Sequence, residues 1–228
     1  MIHSGNPKWK TTRFLVINPN TNAKVTEGVR EVMRASTPPG IVTEVTSPAA
    51  GPFAIESAAD KVEAGRQVLA LIHERMGEGF AGYILACFDD IAIDEIRALT
   101  RAPVISLAEA GIRYAHATGG PFRVITTFEE AVPTIEALSA GYGLADGCTV
   151  VATGIGVTDT AARTEQAEAR LNLHIQDAIR HGATAIVLGS GAFAGRAVEL
   201  EARYGLEVMD GFSEALRYVT EHAGCHRA

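Results

Sequence analysis

The sequence predicts an α/β fold with two pseudo-symmetric lobes, each a parallel sheet flanked by helices. Short apolar runs typical of buried strands alternate with segments whose apolar residues recur at helical spacing, and this alternation favours parallel sheets. The order of these segments also repeats once along the 228 residues. Because ligands of open α/β sheets bind beyond the carboxyl ends of the strands, we expect the active site in the cleft between the lobes.

The first half of the chain contains the elements of one lobe. The run at 81–88, AGYILACF, is apolar throughout, as expected of a central parallel strand covered on both faces. The next segment, at 89–100, is predicted to be a helix with an acidic first turn, which the helix dipole favours. The other predicted elements are a strand at 13–17 followed by a helix from about Thr21, a strand at 41–48, a helix at 61–76, and a strand and helix at 102–118.

The second half repeats this order. FRVITTFEE at 122–130 matches RFLVINPNT at 13–21, and the Arg113-Tyr114 pair matches Arg217-Tyr218. The strand-end match places Cys87 opposite Ser190. Chance similarity among short apolar strands is the competing explanation, because strands and helices alternate at a similar spacing in any α/β protein. The predicted lobes are 12–106 together with 212–228, and 107–211.

The charge, the apolar runs and the cysteines of the sequence indicate which binding partners are not expected. The net charge is −7 and the basic residues are scattered, which argues against nucleic acid as a partner. Apolar runs are too short for a membrane helix, and the first residues lack the apolar stretch of a signal peptide, so we expect no membrane contact and a cytoplasmic location. The three cysteines have no metal-ligand spacing, and we expect no metal.

Five short segments carry a family resemblance: INPNT at 17–21, ACFDD at 86–90, PVISLAEAG at 103–111, ATG at 152–154 and AIVLGSGAFAG at 185–195. Together they resemble the hydantoin and allantoin racemase group of the aspartate/glutamate racemase superfamily, from about residue 13 to 220. The resemblance implies two α/β lobes, no cofactor, a homo-oligomer and one cysteine in each lobe. One thiolate removes a proton from the stereocentre, and the other thiol returns one to the opposite face.

Cys87 occupies the position of the first of those cysteines. It is predicted to lie just before a helix, whose N-terminus favours the thiolate that acts as a base. Asp89 and Asp90 oppose this effect, because their negative charges disfavour a second one nearby. The alternative is a buried structural thiol, since free cysteine is commonly buried.

Ser190 departs from the pattern, because the resemblance places the second cysteine there. A serine hydroxyl is a much weaker acid than a thiol and is a poor partner for proton transfer near neutral pH. Three explanations stay open. The serine is an engineered replacement, or the chain is a natural one-cysteine member with another reaction, or it is a racemase that uses Ser190, water or another group on that face.

Six further residues are predicted to contact the substrate. Asn18 either forms the turn after the strand or donates a hydrogen bond to the ligand. The two threonines at the matching strand end of the second lobe likewise have either a structural role or a contact with the substrate. The two glycines beside Ser190 permit either a tight turn or a close approach of the backbone to a ligand. The predicted contacts are Asn18, Phe88, Thr126, Thr127, Gly189 and Gly191.

These observations predict a cofactor-independent racemase of small molecules, acting on 5-substituted hydantoins or related cyclic ureides, with Cys87 as base and Ser190 on the opposite face. One rival is a one-cysteine decarboxylase of the same superfamily, in which loss of carbon dioxide forms the enolate and one thiol protonates it. Family decarboxylases resemble the opposite arrangement, with the cysteine in the second lobe, which weakens this rival. A second rival is a ligand-binding protein without catalysis.

Overall fold

The computed structural model describes residues 12–223, in which eight strands and nine α-helices alternate. The strands are β1 Thr12–Ile17, β2 Ile41–Thr46, β3 Gly82–Leu85, β4 Val104–Ser106, β5 Phe122–Thr126, β6 Cys148–Ala152, β7 Ala185–Leu188 and β8 Glu207–Met209. The helices are α1 Ala23–Ser36, α2 Ala58–Arg75, α3 Ile93–Leu99, α4 Leu107–Ala117, α5 Val132–Gly141, α6 Val157–Ala161, α7 Glu165–Arg180, α8 Ala197–Tyr204 and α9 Phe212–His222.

The strands form two four-stranded parallel sheets with the same internal order. The first sheet runs β2-β1-β3-β4 and the second runs β6-β5-β7-β8, so each strand of one sheet has an equivalent in the other. The predicted repeat is confirmed in the order of the strands, and the fold class is confirmed with it. Parallel strands require crossover connections, and all but the β4–β5 link, which joins the sheets, lie within one sheet.

Apolar side chains form three layers. The central layer lies between the two sheets and contains residues of both, among them Phe14, Phe122, Val187 and Phe212, all fully buried or nearly so. Two outer layers cover the far face of each sheet, one beneath α2 and α3 and the other beneath α7 and α8. The sheets therefore share one core, and neither buries its inner face alone.

Two helices cross between the halves. Helix α4 follows β4 of the first sheet but contacts β5 and β7 of the second, whereas α9 follows β8 and contacts β3 and β4. The two helices also pack on each other. The predicted lobe boundaries after residues 106 and 211 stay a prediction, and residues 224–228 of that division lie outside the described part of the chain.

Local polar groups fix where α1 and α2 begin. The helix predicted near Thr21 begins at Ala23, because the Asn22 side chain accepts a hydrogen bond from the Lys24 amide. Ser57 and Asp60 form a reciprocal capping box at the start of α2. The starts of α1 and α2 are thus set by short-range signals present in the sequence.

The helix predicted directly after Cys87 is wrong at its start. Asp89 and Asp90 lie in a turn, and α3 begins only at Ile93. Two residues of this turn, Asp90 and Ala92, have φ angles of 47° and 55°, in the left-handed region that a helix excludes. We call residues 86–92 the Cys87 loop.

Gly211 provides a test of how α9 is attached. Its φ is 81°, and a Cβ atom there would lie 2.5 Å from the Leu107 carbonyl oxygen at the start of α4. Gly211→Ala is expected to lower the free energy of unfolding by about 3 kcal/mol, from backbone strain and overpacking together. Gly40→Ala, with a φ of 89° and no neighbour within 4 Å, is the control and is expected to cost about 1 kcal/mol. Urea unfolding measures both, and equal losses would contradict the packing argument.

Candidate active site

A small cavity lies between the lobes, where the carboxyl ends of β1, β3, β5 and β7 meet. The structure brings together in its lining seven of the eight residues predicted for the site, which are Cys87, Phe88, Thr126, Thr127, Gly189, Ser190 and Gly191. Its walls also carry apolar side chains from both lobes, including Val25, Ile55, Ile135 and Val157. The cavity therefore combines a thiol and several hydroxyls with an apolar surround.

Asn18 is the predicted residue that the lining does not include. Its side chain is fully buried and donates hydrogen bonds of 2.9 Å to Asn20 Oδ1 and to Thr26 Oγ1. These contacts shape the turn between β1 and α1, in line with the turn-former reading. Asn20, which sequence reasoning noted only as part of the turn, lines the cavity instead. Its position three residues after the strand gave no signal that separated it from Asn18.

Cys87 lies two residues beyond the end of β3 and is 8% exposed. Burial raises the pKa of its thiol to about 12, and the Asp89 carboxylate adds to the increase. The nearby backbone amides of Asp89 and Ile91 act in the opposite direction and lower the pKa. The expected help from a helix N-terminus is absent in this form, because α3 begins six residues later; the amides of the Cys87 loop stabilise the thiolate instead.

Ser190 lies at the equivalent strand end of the second lobe, after β7. Its Oγ accepts a hydrogen bond of 3.2 Å from the Ala192 amide and so begins a single 3-10 turn over Gly191–Phe193. This turn separates Ser190 from α8, which begins only at Ala197. The hydroxyl proton of Ser190 is not used in this contact, so it stays free to donate to a ligand.

The two glycines beside Ser190 are required by close packing. A Cβ on Gly189 would lie 2.7 Å from the Val124 side chain, and one on Gly191 would lie 3.1 Å from the Ala86 carbonyl oxygen. The second contact joins the two lobes, since Ala86 directly precedes Cys87. Gly191 therefore lets the Ser190 turn approach the Cys87 loop.

Thr126 and Thr127 are both 2% exposed, but they differ in their contacts. Thr126 Oγ1 donates a hydrogen bond of 2.9 Å to the Gly189 carbonyl and so holds the Ser190 turn against β5. Within residues 12–223, the Thr127 hydroxyl has no hydrogen-bond partner, although its carbonyl accepts bonds from Thr153 and Ile155. Thr127 is therefore the better placed of the two to bind a ligand.

Comparison with known proteins agrees with this geometry. The model of the Asp/Glu/Hydantoin racemase family matches residues 14–219. The chain belongs to this family. The predicted resemblance is thereby confirmed.

Two relatives show how far this family likeness extends. A hydantoin racemase of Rhizobium meliloti is 31% identical over 204 residues, which cover 89% of this chain and 85% of the relative. A hydantoin racemase of Pseudomonas sp. is 28% identical over 208 residues, which cover 90% of this chain and 84% of the relative. The predicted enzyme class, a racemase, is confirmed with the family.

Two solved structures of racemases are similar throughout. The allantoin racemase of Klebsiella pneumoniae superposes with a TM-score of 0.87 and 30% identity, covering 92% of this chain and 86% of that one. The allantoin racemase of Pseudomonas fluorescens gives a TM-score of 0.85 and 28% identity, covering 92% and 90% of the two chains. Both contain the two-lobed fold described above.

The two aspartates after Cys87 form contacts to other elements of the racemase fold. Asp89 lines the cavity, and its Oδ1 lies 2.7 Å from Lys61 Nζ of α2. Asp90 accepts a hydrogen bond of 2.5 Å from the hydroxyl of Tyr142, just beyond α5. Burial raises the pKa of Asp90. The acidic pair was interpreted as a helix first turn, which is wrong; its side chains attach the Cys87 loop to its surroundings.

Within residues 12–223, no helix combines the length and the apolar character needed to cross a membrane.

The two threonines give a matched test of the site. Thr126→Val removes the donor to the buried Gly189 carbonyl and is expected to lower the free energy of unfolding by about 1–2 kcal/mol. Thr127→Val has the same change of shape but breaks no contact, so its expected effect on stability is below about 0.5 kcal/mol. Thermal or urea unfolding of both variants measures the difference. A larger loss for Thr127→Val would show that the hydroxyl contacts are assigned wrongly.

Proposed function

We propose that this racemase acts on a 5-substituted hydantoin or a related cyclic ureide without a cofactor, with Cys87 as the base on one face of the ring and Ser190 on the other. The observation that carries the proposal is the arrangement of the two strand ends. The equivalent ends of β3 and β7 bring Cys87 and Ser190 to one cavity. Inversion at a stereocentre needs one group on each face of a planar intermediate.

The charge of the cavity supports a neutral substrate. Among the lining residues that the structure describes, Asp89 alone is ionisable apart from the thiol, and its carboxylate is paired with Lys61. None of these lining side chains is a lysine, arginine or histidine. A free amino acid would place a carboxylate there without a cationic partner, at a high desolvation cost. A cyclic ureide carries amides that hydrogen bonds alone can satisfy.

The ring can be held by groups of both lobes. Asn20 and Thr127 offer side-chain donors, and the backbone amides of Phe88, Ser190 and Gly191 have no protein acceptor among the described residues. When C5 loses its proton, the carbanion is delocalised into the neighbouring carbonyl as an enolate. Amide donors that face this oxygen stabilise the developing charge more than the neutral ring, which lowers the barrier.

Ser190 determines how much of the C5 exchange leads to inversion. Cys87 removes the proton from the enantiomer whose C5–H points toward the sulfur, and can return a solvent-derived proton to the same face. Inversion needs a donor on the Ser190 face, where a hydroxyl is a much weaker acid than a thiol. We therefore propose that exchange at C5 exceeds inversion in this protein. The cytoplasmic location and the homo-oligomeric assembly remain predictions.

Exchange in deuterated water tests the proposal directly. Proton NMR and optical rotation of each enantiomer of a 5-substituted hydantoin are expected to show C5 exchange of one enantiomer with little inversion. Ser190→Cys is expected to raise the rate of inversion by about 100-fold, because it supplies an acidic donor on the second face. Cys87→Ser serves as the control and should abolish both. Absence of exchange in every protein, across several hydantoins and allantoin, would overturn the racemase proposal.

The pH dependence follows from the burial of Cys87. Because the pKa of its thiol is raised to about 12, the thiolate is scarce at neutral pH and increases as the pH rises. The rate constant kcat/KM for C5 exchange is expected to increase about tenfold per pH unit between pH 7 and 9, without a plateau. The exchange rate measured without protein is subtracted at each pH. A plateau already reached at pH 7 would show that the base in the free protein is not a buried thiol.

A further inference from the structure

Lys61 connects three parts of the molecule at the edge of the cavity. Its Nζ lies 2.7 Å from Asp89 Oδ1 in the Cys87 loop and donates a hydrogen bond of 2.8 Å to Thr134 Oγ1 in α5. Lys61 belongs to α2, which covers the first sheet, whereas α5 packs beside β6 of the second. The ammonium group therefore joins the Cys87 loop to the opposite half of the molecule.

A second contact holds the same loop to the other end of α5. Tyr142, directly after this helix, donates its hydroxyl to Asp90, the neighbour of Asp89. The helix also supplies Ile135 to the cavity wall. Two adjacent carboxylates thus attach the Cys87 loop to α5, one directly and one through Lys61.

The ion pair also balances the charge beside the thiol. The Asp89 carboxylate lies two residues from Cys87, and a negative charge there disfavours the thiolate. The polar side chains that the other elements contribute to the lining are neutral: Asn20, Thr126, Thr127 and Ser190. Lys61 is therefore the cation that offsets Asp89, and its side chain is 30% exposed, so solvent screens it only in part.

We propose that Lys61 is a positioning residue of the site, whose ammonium group neutralises the carboxylate beside Cys87 and so allows the thiol to serve as a base. The inference rests on the proposed role of Cys87, but not on the identity of the substrate. Lys61 does not line the cavity, so it acts through Asp89 and contacts no ligand.

Alkylation of Cys87 tests the proposal without a substrate. Well below the pKa of a thiol, the rate of its reaction with iodoacetamide is proportional to the thiolate fraction. At pH 9, followed by mass spectrometry of the peptide that contains Cys87, Lys61→Met is expected to slow alkylation by about tenfold, because Asp89 is left uncompensated. A purely structural loss would open the cavity and accelerate the reaction. An unchanged or faster rate in a folded variant would therefore overturn the proposal.

Three further variants separate charge from structure. Lys61→Arg keeps the charge and is expected to stay within about threefold of the parent rate. Thr134→Val removes the hydrogen bond to α5 without changing any charge, so its rate should not fall. The double variant Lys61→Met with Asp89→Asn removes both charges and is expected to recover the parent rate to within about threefold. A slow double variant would assign the effect to packing and overturn the proposal.

Asp89→Asn alone decides the matter if Lys61→Met does not fold. It removes the negative charge and leaves the ammonium in place, so alkylation at pH 9 is expected to be about tenfold faster than in the double variant, which lacks that ammonium. An unchanged or slower rate would overturn the proposal. Because no hydantoin enters this measurement, a positive result together with absent C5 exchange would retain the role of Lys61 and reject the proposed substrate.

Discussion

The apolar layer shared by the two sheets is the constraint on which the rest of the structure depends. Side chains of β1 and β3 meet those of β5 and β7 in one continuous core, and α4 and α9 each follow one sheet and pack on the other. Burial of this area is the main favourable term in folding. Since the halves fold around a common layer, the strand ends that carry Cys87 and Ser190 are held at a fixed separation by the core itself.

That separation is small enough for backbone contact. Gly191 approaches the Ala86 carbonyl so closely that a side chain would crowd it. Thr126 fastens the Ser190 turn to β5, and the Cys87 loop is fastened to α5 by its two aspartates. Cys87 and Ser190 thus lie on short turns, but each turn is attached to an element of the rigid scaffold, which keeps their positions defined.

Burial of the site has opposite effects on binding of a neutral ring and on formation of the Cys87 thiolate. A buried, nearly uncharged cavity suits a neutral ring, yet the same burial raises the pKa of the Cys87 thiol. Backbone amides of the Cys87 loop oppose this increase, and in the proposed arrangement Lys61 offsets the charge of Asp89 without placing a free cation in the cavity. Under this proposal Cys87 is supported by a cation that lies outside the lining, and the described lining residues include no lysine, arginine or histidine.

The sequence by itself determined the two-sheet fold, the repeat and the family, because the apolar periods and the short segments around Cys87 and Ser190 are local signals. It also indicated seven residues of the cavity lining, since equivalent strand ends of parallel sheets meet at one edge. Asn18 and Asn20 were not separable, because both fit the same turn and only the packing of α1 decides which side chain faces inward.

Tertiary structure alone decided the surroundings of the thiol. The acidic pair after Cys87 resembled the first turn of a helix. Instead, the two aspartates lie in a turn with left-handed residues that ends before α3, and they contact Lys61 and Tyr142, which are remote in sequence. No local pattern encodes such partners. The burial of Cys87, and with it the direction of its pKa shift, likewise depends on an apolar cluster whose other members come from distant parts of the first half of the chain.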